Sequence, residues 1–160
     1  IFLGTVILSI FLVFNLGLLR KKWKIFLGDS GSMWIGFIVA WFMVVFTQPG
    51  PGYLFTPVTA LWLILLPLID ALSTFLSRLW NRRSMFLGDR THIHHILLDF
   101  GIKKWKILLI FLSISLVSSG FAIYFTLNKT EEFIQFYGFL TVWFFYFLLI
   151  KYPVIKKEDR

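Results

Sequence analysis

One uninterrupted stretch of the chain reads Ile107-Leu-Leu-Ile-Phe-Leu-Ser-Ile-Ser-Leu-Val-Ser-Ser-Gly-Phe-Ala-Ile-Tyr-Phe-Thr-Leu127 and contains no charged residue. A helix needs about 20 mainly apolar residues to cross the hydrocarbon core of a bilayer, and this stretch is long enough. Its apolar side chains surround the whole helical circumference, which is typical of a membrane span. Four further apolar segments have the same character: 1–19, 31–47, 57–77 and 133–150. The sequence therefore predicts an all-α, polytopic integral membrane helical bundle with about five transmembrane helices.

The composition of the 160-residue chain agrees with this class. Hydrophobic residues make up 58% of the sequence, whereas soluble proteins contain about 45–50% apolar residues. Cysteine is absent, which rules out disulfides and thiolate metal sites. The chain begins with Ile1, and no basic segment precedes the first apolar one, so we expect no cleavable signal peptide. We interpret the chain as part of a longer protein.

The distribution of basic residues predicts the topology. The net charge is +8, and fifteen of the sixteen Lys and Arg residues lie in or beside three segments: loop 20–30, loop 78–106 and tail 151–160. Two predicted spans separate each of these segments from the next, so all three lie on the same side of the membrane. Only Lys129 lies in a loop on the other side. The positive-inside rule places both loops and the tail in the cytoplasm. The positive charge is thereby explained by topology and contact with membrane lipids, and we expect no nucleic-acid partner.

The segment Gly28-Asp29-Ser30-Gly31-Ser32 joins the first cytoplasmic loop to a span. Ser30 or Ser32 is a plausible N-cap, and Asp29 could itself simply cap the helix. Alternatively, the Asp29 carboxylate could hold Mg²⁺, which usually takes one or two carboxylates together with phosphate oxygens. Local reasoning leaves both interpretations open.

All three histidines of the chain lie in Asp89-Arg-Thr-His-Ile-His-His95. His92 and His95 would share a helical face, whereas His92 and His94 would share one side of an extended segment. The imidazoles could cap helix ends, bind phosphate or a metal-bound substrate, or shuttle protons. A zinc site would need a further ligand that the sequence does not make obvious.

The charged residues near this motif can also be interpreted in two ways, as functional or as structural. Four arginines could clamp a diphosphate or a lipid phosphate through bidentate bonds, or only set topology: Arg78, Arg82, Arg83 and Arg90. Arg90 is the strongest local candidate because it lies inside the histidine motif. Asp70 lies within a predicted span, where an acid is either functional or an interhelical hydrogen-bonding group.

Taken together, these motifs resemble the polyprenyl-phosphate N-acetylhexosamine-1-phosphate transferase family. The matching segments are Phe14-Asn15, Phe26-Leu-Gly-Asp-Ser-Gly-Ser-Met33 with Gly36, Thr56-Pro-Val-Thr-Ala-Leu-Trp62, Pro67-Leu-Ile-Asp70 and Asp89-Arg-Thr-His-Ile-His-His95. Their order and spacing run through residues 14–101. The His-Ile-His-His form resembles the branch that loads N-acetylglucosamine-1-phosphate onto undecaprenyl phosphate. The phospho-MurNAc-pentapeptide translocase branch is expected to have three adjacent histidines instead.

The resemblance implies an enzyme of the bacterial inner (cytoplasmic) membrane. Its substrates would be UDP-GlcNAc and undecaprenyl phosphate, whose phosphate attacks the β-phosphorus of the nucleotide sugar. The products would be undecaprenyl-diphospho-GlcNAc and UMP, and the cofactor Mg²⁺, with Mn²⁺ as a substitute. The lipid-linked sugar would begin the synthesis of an envelope polysaccharide such as lipopolysaccharide O antigen or teichoic acid.

The resemblance also assigns roles to individual residues. Asp29 would bind the metal and be catalytic, and His92 would be the second catalytic residue. Phe26 would stack on uracil and Arg78 would contact phosphates. The complete set of implied substrate-binding residues is Asn15, Phe26, Arg78, Arg90, His94 and His95.

One family feature is absent from the chain, namely an adjacent pair of aspartates. In the family that pair belongs to the front half of the protein. We therefore interpret 1–160 as the C-terminal part of a single transmembrane transferase domain. The N-terminal half of the same protein would be its partner and would supply the rest of the site, including any catalytic base. We expect the fragment alone to be inactive, and a homodimer is compatible with this interpretation.

Other functions remain compatible with the residues alone. The donor could be another UDP-N-acetylhexosamine. The chain could also be a cation transporter that uses Asp70 and the histidines, or a non-catalytic membrane interaction module.

Overall fold

The computed structural model describes residues 28–80 and 92–151. In chain order its helices are α1 (Gly28–Thr47), α2 (Pro57–Leu63), α3 (Leu65–Trp80), α4 (Ile93–Asp99), α5 (Lys104–Leu127) and α6 (Glu132–Tyr146). A π-helical turn, Phe147–Lys151, continues α6. These two ranges contain no strand. The predicted all-α class is therefore confirmed.

Three of the described helical segments are long and apolar enough to cross a membrane: Ser30–Thr47, Lys104–Leu127 and Glu132–Ile150. The pair α2 and α3 would make a fourth span if its two helices are counted together. The predicted number of about five is thus somewhat higher than the described residues support. The first predicted span, 1–19, lies outside them.

The chain divides into two compact units, Ile1–Phe42 and Met43–Arg160. The described part of the first unit is the portion of α1 that ends at Phe42. Its large apolar side chains at Met33, Phe37 and Trp41 are exposed, as expected of a helix surrounded by lipid. The second unit contains the other helices and the histidine motif.

The segment predicted as one span over 57–77 is two helices that meet at an angle of 90°. Thr56 caps α2, since its hydroxyl accepts a hydrogen bond from the Thr59 amide at 3.2 Å, and Pro57 occupies the first turn. The break falls at Ile64, where the helix ends. Pro67 explains it, because proline has no N–H to donate to the carbonyl four residues earlier and its ring crowds that carbonyl. The sequence predicted a single span here, and the effect of Pro67 on the helix was not taken into account.

Trp62 on α2 organises the core of the second unit. Its ring centroid lies 5.7 Å from that of Phe121 and 5.2 Å from that of Phe125, both on α5. Gly138 on α6 faces the same ring, and a Cβ there would lie 3.2 Å from Trp62 Cζ2. The glycine therefore permits the close approach of α6. The same core cluster includes Leu65, Ile69, Ile93, Ala122, Phe139 and Tyr146.

Candidate active site

The histidine motif forms the start of the short helix α4. His92 is the N-cap residue with extended backbone angles, and its carbonyl accepts hydrogen bonds from the amides of His95 and Ile96 at 2.9 and 3.2 Å. Gly101 has a φ of +77°, and the amide of Ile102 bonds to the Leu97 carbonyl at 3.1 Å. This left-handed glycine ends the helix after two turns, as is common at helix C-termini. The motif is therefore a compact, well-bounded element.

Asp70 on α3 attaches this element to the bundle. Its Oδ2 lies 2.8 Å from His92 Nδ1, and its Oδ1 accepts a hydrogen bond from the Ile93 amide at 3.1 Å. The Tyr146 hydroxyl, at the end of α6, also donates to Oδ1 at 2.6 Å. The carboxylate thus joins α3, α4 and α6, and we call Asp70, His92, Ile93 and Tyr146 the Asp70 network.

A second contact holds α3 and α6 together beside this network. Trp143 Nε1 donates a hydrogen bond to Ser73 Oγ at 3.0 Å. Ser73 follows Asp70 by about one helical turn and Trp143 precedes Tyr146 by about one turn. Ser73 is fully buried, with 0% exposure. The acid at the site is therefore carried by a rigid pair of helices.

The three imidazoles lie beside one another. The His92 and His94 rings stack with centroids 5.9 Å apart and an angle of 13° between their planes. The His94 and His95 centroids are 4.1 Å apart. The His92 side chain is 39% exposed and that of Asp70 is 11% exposed. The rings therefore present an accessible surface while the acid behind them is buried.

A cavity of about 310 Å³ adjoins the motif. Its walls are mainly apolar, with Asp70 and two of the imidazoles as the polar groups. The lining residues are Leu66, Pro67, Asp70, Ala71, His92, Ile93, His94 and Phe111. Nitrogen donors at the edge of an apolar cavity suit a ligand that has both a polar head and an apolar body.

The chain is similar to curated bacterial proteins that carry the name undecaprenyl-phosphate alpha-N-acetylglucosaminyl 1-phosphate transferase. It is 36% identical to the one from Haemophilus influenzae over 137 residues, which cover 85% of the chain and 38% of that relative. It is 36% identical to the one from Escherichia coli K12 over 142 residues (88% and 38%). For Yersinia pestis the identity is 35% over 150 residues (94% and 40%). The resemblance inferred from the motifs is confirmed.

The chain therefore spans about two fifths of the length of the transferases it resembles. No protein-family model and no solved structure matches it.

The structure brings some of the predicted site residues together and leaves others undescribed. The three histidines are adjacent, and Arg78 lies in the last turn of α3, the helix that carries Asp70. The backbone of Asp29 lies in the first turn of α1, directly after Gly28 with its φ of +67°. The prediction about the Asp29 carboxylate, and those about Asn15, Phe26 and Arg90, lie outside the described residues.

Sequence reasoning missed Tyr146 entirely. It is 8% exposed and lies in an aromatic-rich segment that resembles lipid-facing sequence. A hydroxyl in the interior of an apolar helix usually needs a hydrogen-bond partner. That requirement was the available signal, but it could not have identified Asp70 as the partner. Among the described His, Asp and Glu side chains, no group of three could hold a metal ion.

Proposed function

We propose that this chain is part of an enzyme that transfers N-acetylglucosamine-1-phosphate from UDP-GlcNAc to undecaprenyl phosphate. The lipid phosphate oxygen bonds to the β-phosphorus of UDP-GlcNAc, and the bond from that phosphorus to the bridging oxygen breaks. The products are undecaprenyl-diphospho-GlcNAc and UMP. The observation that carries the proposal is the accessible row of imidazoles beside a mainly apolar cavity, in a chain similar to transferases of that name.

The motif can perform the binding part of this reaction. Phosphoryl transfer needs positioning of two anionic groups and neutralisation of charge more than it needs covalent help from the protein. Imidazole N–H groups bind phosphate oxygens, and His92, His94 and His95 would do so side by side. Arg78 would supply a bidentate donor to a phosphate, as guanidinium groups do elsewhere. The apolar cavity would accept the first units of an isoprenoid chain.

A divalent cation would take one carboxylate from this chain, and the rest of the polypeptide would supply any further protein ligand. Mg²⁺ commonly takes one or two carboxylates together with phosphate oxygens and water, and Asp29 is the residue that would hold it. When bound, the ion would neutralise charge on the diphosphate. The nitrogen ligands of the motif suit phosphate better than they suit this oxygen-preferring ion. Mn²⁺ would be accepted in its place.

We further propose that the protein is a multi-pass protein of the bacterial inner membrane, with the histidine motif on the cytoplasmic side. The remaining part of the same polypeptide would complete the site. Because the chain has no cysteine, labelling can test the topology in a cysteine-free full-length protein. Asp99→Cys should react with a membrane-impermeant thiol reagent only in inverted vesicles, and Lys129→Cys only in intact cells. The reverse pattern would contradict the orientation.

Turnover by the full-length protein tests the reaction. Membranes are supplied with UDP-GlcNAc, undecaprenyl phosphate and Mg²⁺, and UMP release is measured together with the mass of the lipid product. Asp29→Asn and His92→Gln should each lower kcat by about 10²–10³-fold, the cost of removing a group that stabilises the transition state. Asp99→Asn, at an exposed acid on α4, should leave kcat unchanged.

Two results would overturn parts of this proposal. Normal turnover by both variants would contradict the site assignment, and faster turnover of another UDP-N-acetylhexosamine supplied in place of UDP-GlcNAc would replace the proposed donor. The isolated chain 1–160 should release no UMP, and measurable turnover by it would contradict the need for the rest of the polypeptide.

A further inference from the structure

Asp70 joins three helices, and two of its three described partners are fixed hydrogen-bond donors. The Ile93 amide and the Tyr146 hydroxyl donate to Oδ1, and Oδ2 faces His92 Nδ1 at 2.8 Å. An ionised carboxylate can only accept hydrogen bonds. With Asp70 ionised, the nitrogen that faces Oδ2 carries a proton.

This arrangement determines the tautomer of His92. A neutral imidazole carries one proton on one of its two nitrogens. With a proton held on Nδ1, the other nitrogen, Nε2, is the one that can act on a substrate: it accepts when the ring is neutral and donates to a phosphate oxygen when the ring is doubly protonated. In the neutral ring, the hydrogen bond between Nδ1 and the carboxylate therefore determines which of the two nitrogens carries the proton.

The same carboxylate also fixes the backbone that carries the ring. The Ile93 amide is the first of α4 and has no carbonyl partner within the helix; Asp70 Oδ1 takes that role. The ring and the helix start are therefore both tied to α3. Tyr146, by its hydrogen bond to Oδ1, restrains rotation of the carboxylate, and the His94 ring stacks on the ring that the carboxylate orients.

We propose that Asp70 is a positioning residue for the transfer reaction: it holds His92 with its proton on Nδ1, so that Nε2 faces the phosphates of the substrates. The inference rests on the proposed function, because it assumes that His92 contacts the reacting phosphates. Asp70 borders the cavity, but its side chain is only 11% exposed and need not contact the reacting phosphates.

The test uses the full-length protein labelled with ¹⁵N-histidine. The His92 signal is assigned by its loss in His92→Gln, and its ring nitrogen shifts report which nitrogen is protonated. In the wild-type protein the neutral His92 ring should carry its proton on Nδ1. In Asp70→Asn the amide can present its own N–H₂ to Nδ1, and the population with the proton on Nε2 should rise. A wild-type ring protonated on Nε2 overturns the proposal, whether or not the variant accumulates.

Kinetics give the second readout. Asp70→Asn should lower kcat by about 10²-fold, the scale expected when a reacting group is misplaced, while the KM for UDP-GlcNAc should change by no more than about threefold. Because general unfolding would also lower the apparent kcat at unchanged KM, kcat is expressed per folded molecule. Unfolding would leave the His92 tautomer of the remaining folded enzyme unchanged, whereas the positioning role predicts that it changes. Asp99→Asn is the matched control and should keep both the kinetics and the His92 signal.

The results separate this inference from the function on which it rests. If His92→Gln is inactive and Asp70→Asn is fully active, the positioning role is wrong and the proposed site stands. If His92→Gln itself keeps full turnover, the proposed site is wrong.

Discussion

Two buried polar networks hold the second unit together, and they lie at opposite ends of α6. At one end is the Asp70 network. At the other, Gln135 Oε1 accepts a hydrogen bond from the Thr59 hydroxyl at 2.7 Å and its Nε2 donates to the Thr130 carbonyl at 2.8 Å. The Gln135 carbonyl accepts from Trp62 Nε1 at 3.1 Å. The two networks are separated by eleven residues of α6, or about 16 Å along its axis.

The difference between them lies in what their members face. Gln135 and Thr59 are each 1% exposed, and their partners belong to the packed interior or to the adjacent turn. The Asp70 network includes His92, whose side chain is 39% exposed. Both networks fasten helices, and Thr59 and Gln135 also line a cavity of about 430 Å³. The Asp70 network differs in that it also orients an accessible imidazole. The comparison teaches that a buried polar residue is a candidate functional residue when one of its hydrogen-bond partners, such as His92, is exposed enough to contact a ligand.

The largest expected effect comes from removing the carboxylate altogether. Asp70→Ala leaves the Ile93 amide, the Tyr146 hydroxyl and His92 Nδ1 without their acceptor. In the full-length protein kcat should fall by about 10²–10³-fold, and the thermal midpoint should fall with it because buried donors are left unpaired. UMP release and detergent-solubilised thermal melts measure the two effects. Asp99→Ala is the control, and equal behaviour of the two variants would contradict the distinction between the networks.

The Gln135 network should respond in stability and not in rate. Gln135→Leu removes the acceptor of the Thr59 hydroxyl and the donor to the Thr130 carbonyl, which should cost about 1–3 kcal/mol of unfolding free energy. The rate per folded molecule should stay within about twofold of wild type, since the proposed phosphate contacts lie at the other end of α6. Gln48→Leu, at an exposed site, should change neither quantity. A loss of rate with unchanged stability would argue for a function at this end of α6.

A smaller effect on stability and rate is expected from changing Ser73, whose hydrogen-bond partner Trp143 lies on α6 between Gln135 and Tyr146. Ser73→Ala removes the acceptor of Trp143 Nε1 and should lower the unfolding free energy by about 1 kcal/mol. The rate should drop by less than in Asp70→Ala, because α3 keeps its bond to Tyr146. The exposed Ser113→Ala serves as the control in the same melts. A rate loss as large as that of Asp70→Ala would mean that the helix pair, and not the carboxylate, orients the motif.

The sequence predicted the parts of this structure that depend on local composition. Long apolar segments indicated α1, α5 and α6, because their length and all-round apolarity are properties of the segments themselves. The three histidines lie together because they are neighbours in the chain. The bend between α2 and α3 was within reach of the sequence too, through Pro67, but the apolar run around it was read as one straight span.

The contacts that define the site could not be predicted in this way. Asp70 and His92 are 22 residues apart, and Asp70 and Tyr146 are 76 apart. Nothing in their local sequence selects these partners, since the pairing depends on how α3, α4 and α6 pack. Sequence reasoning accordingly left two readings of Asp70 open. The structure shows Asp70 as an acid that hydrogen-bonds to residues of other helices.

A double-mutant cycle on kcat in the full-length protein tests the central claim, that Asp70 acts through His92, most directly. Asp70→Asn, His92→Gln and the double variant are compared with wild type under saturating UDP-GlcNAc and undecaprenyl phosphate. If the acid only positions the imidazole, the double variant should be no slower than His92→Gln alone, because the group to be positioned is already gone. Losses that multiply in the double variant would contradict the account and assign Asp70 an independent role.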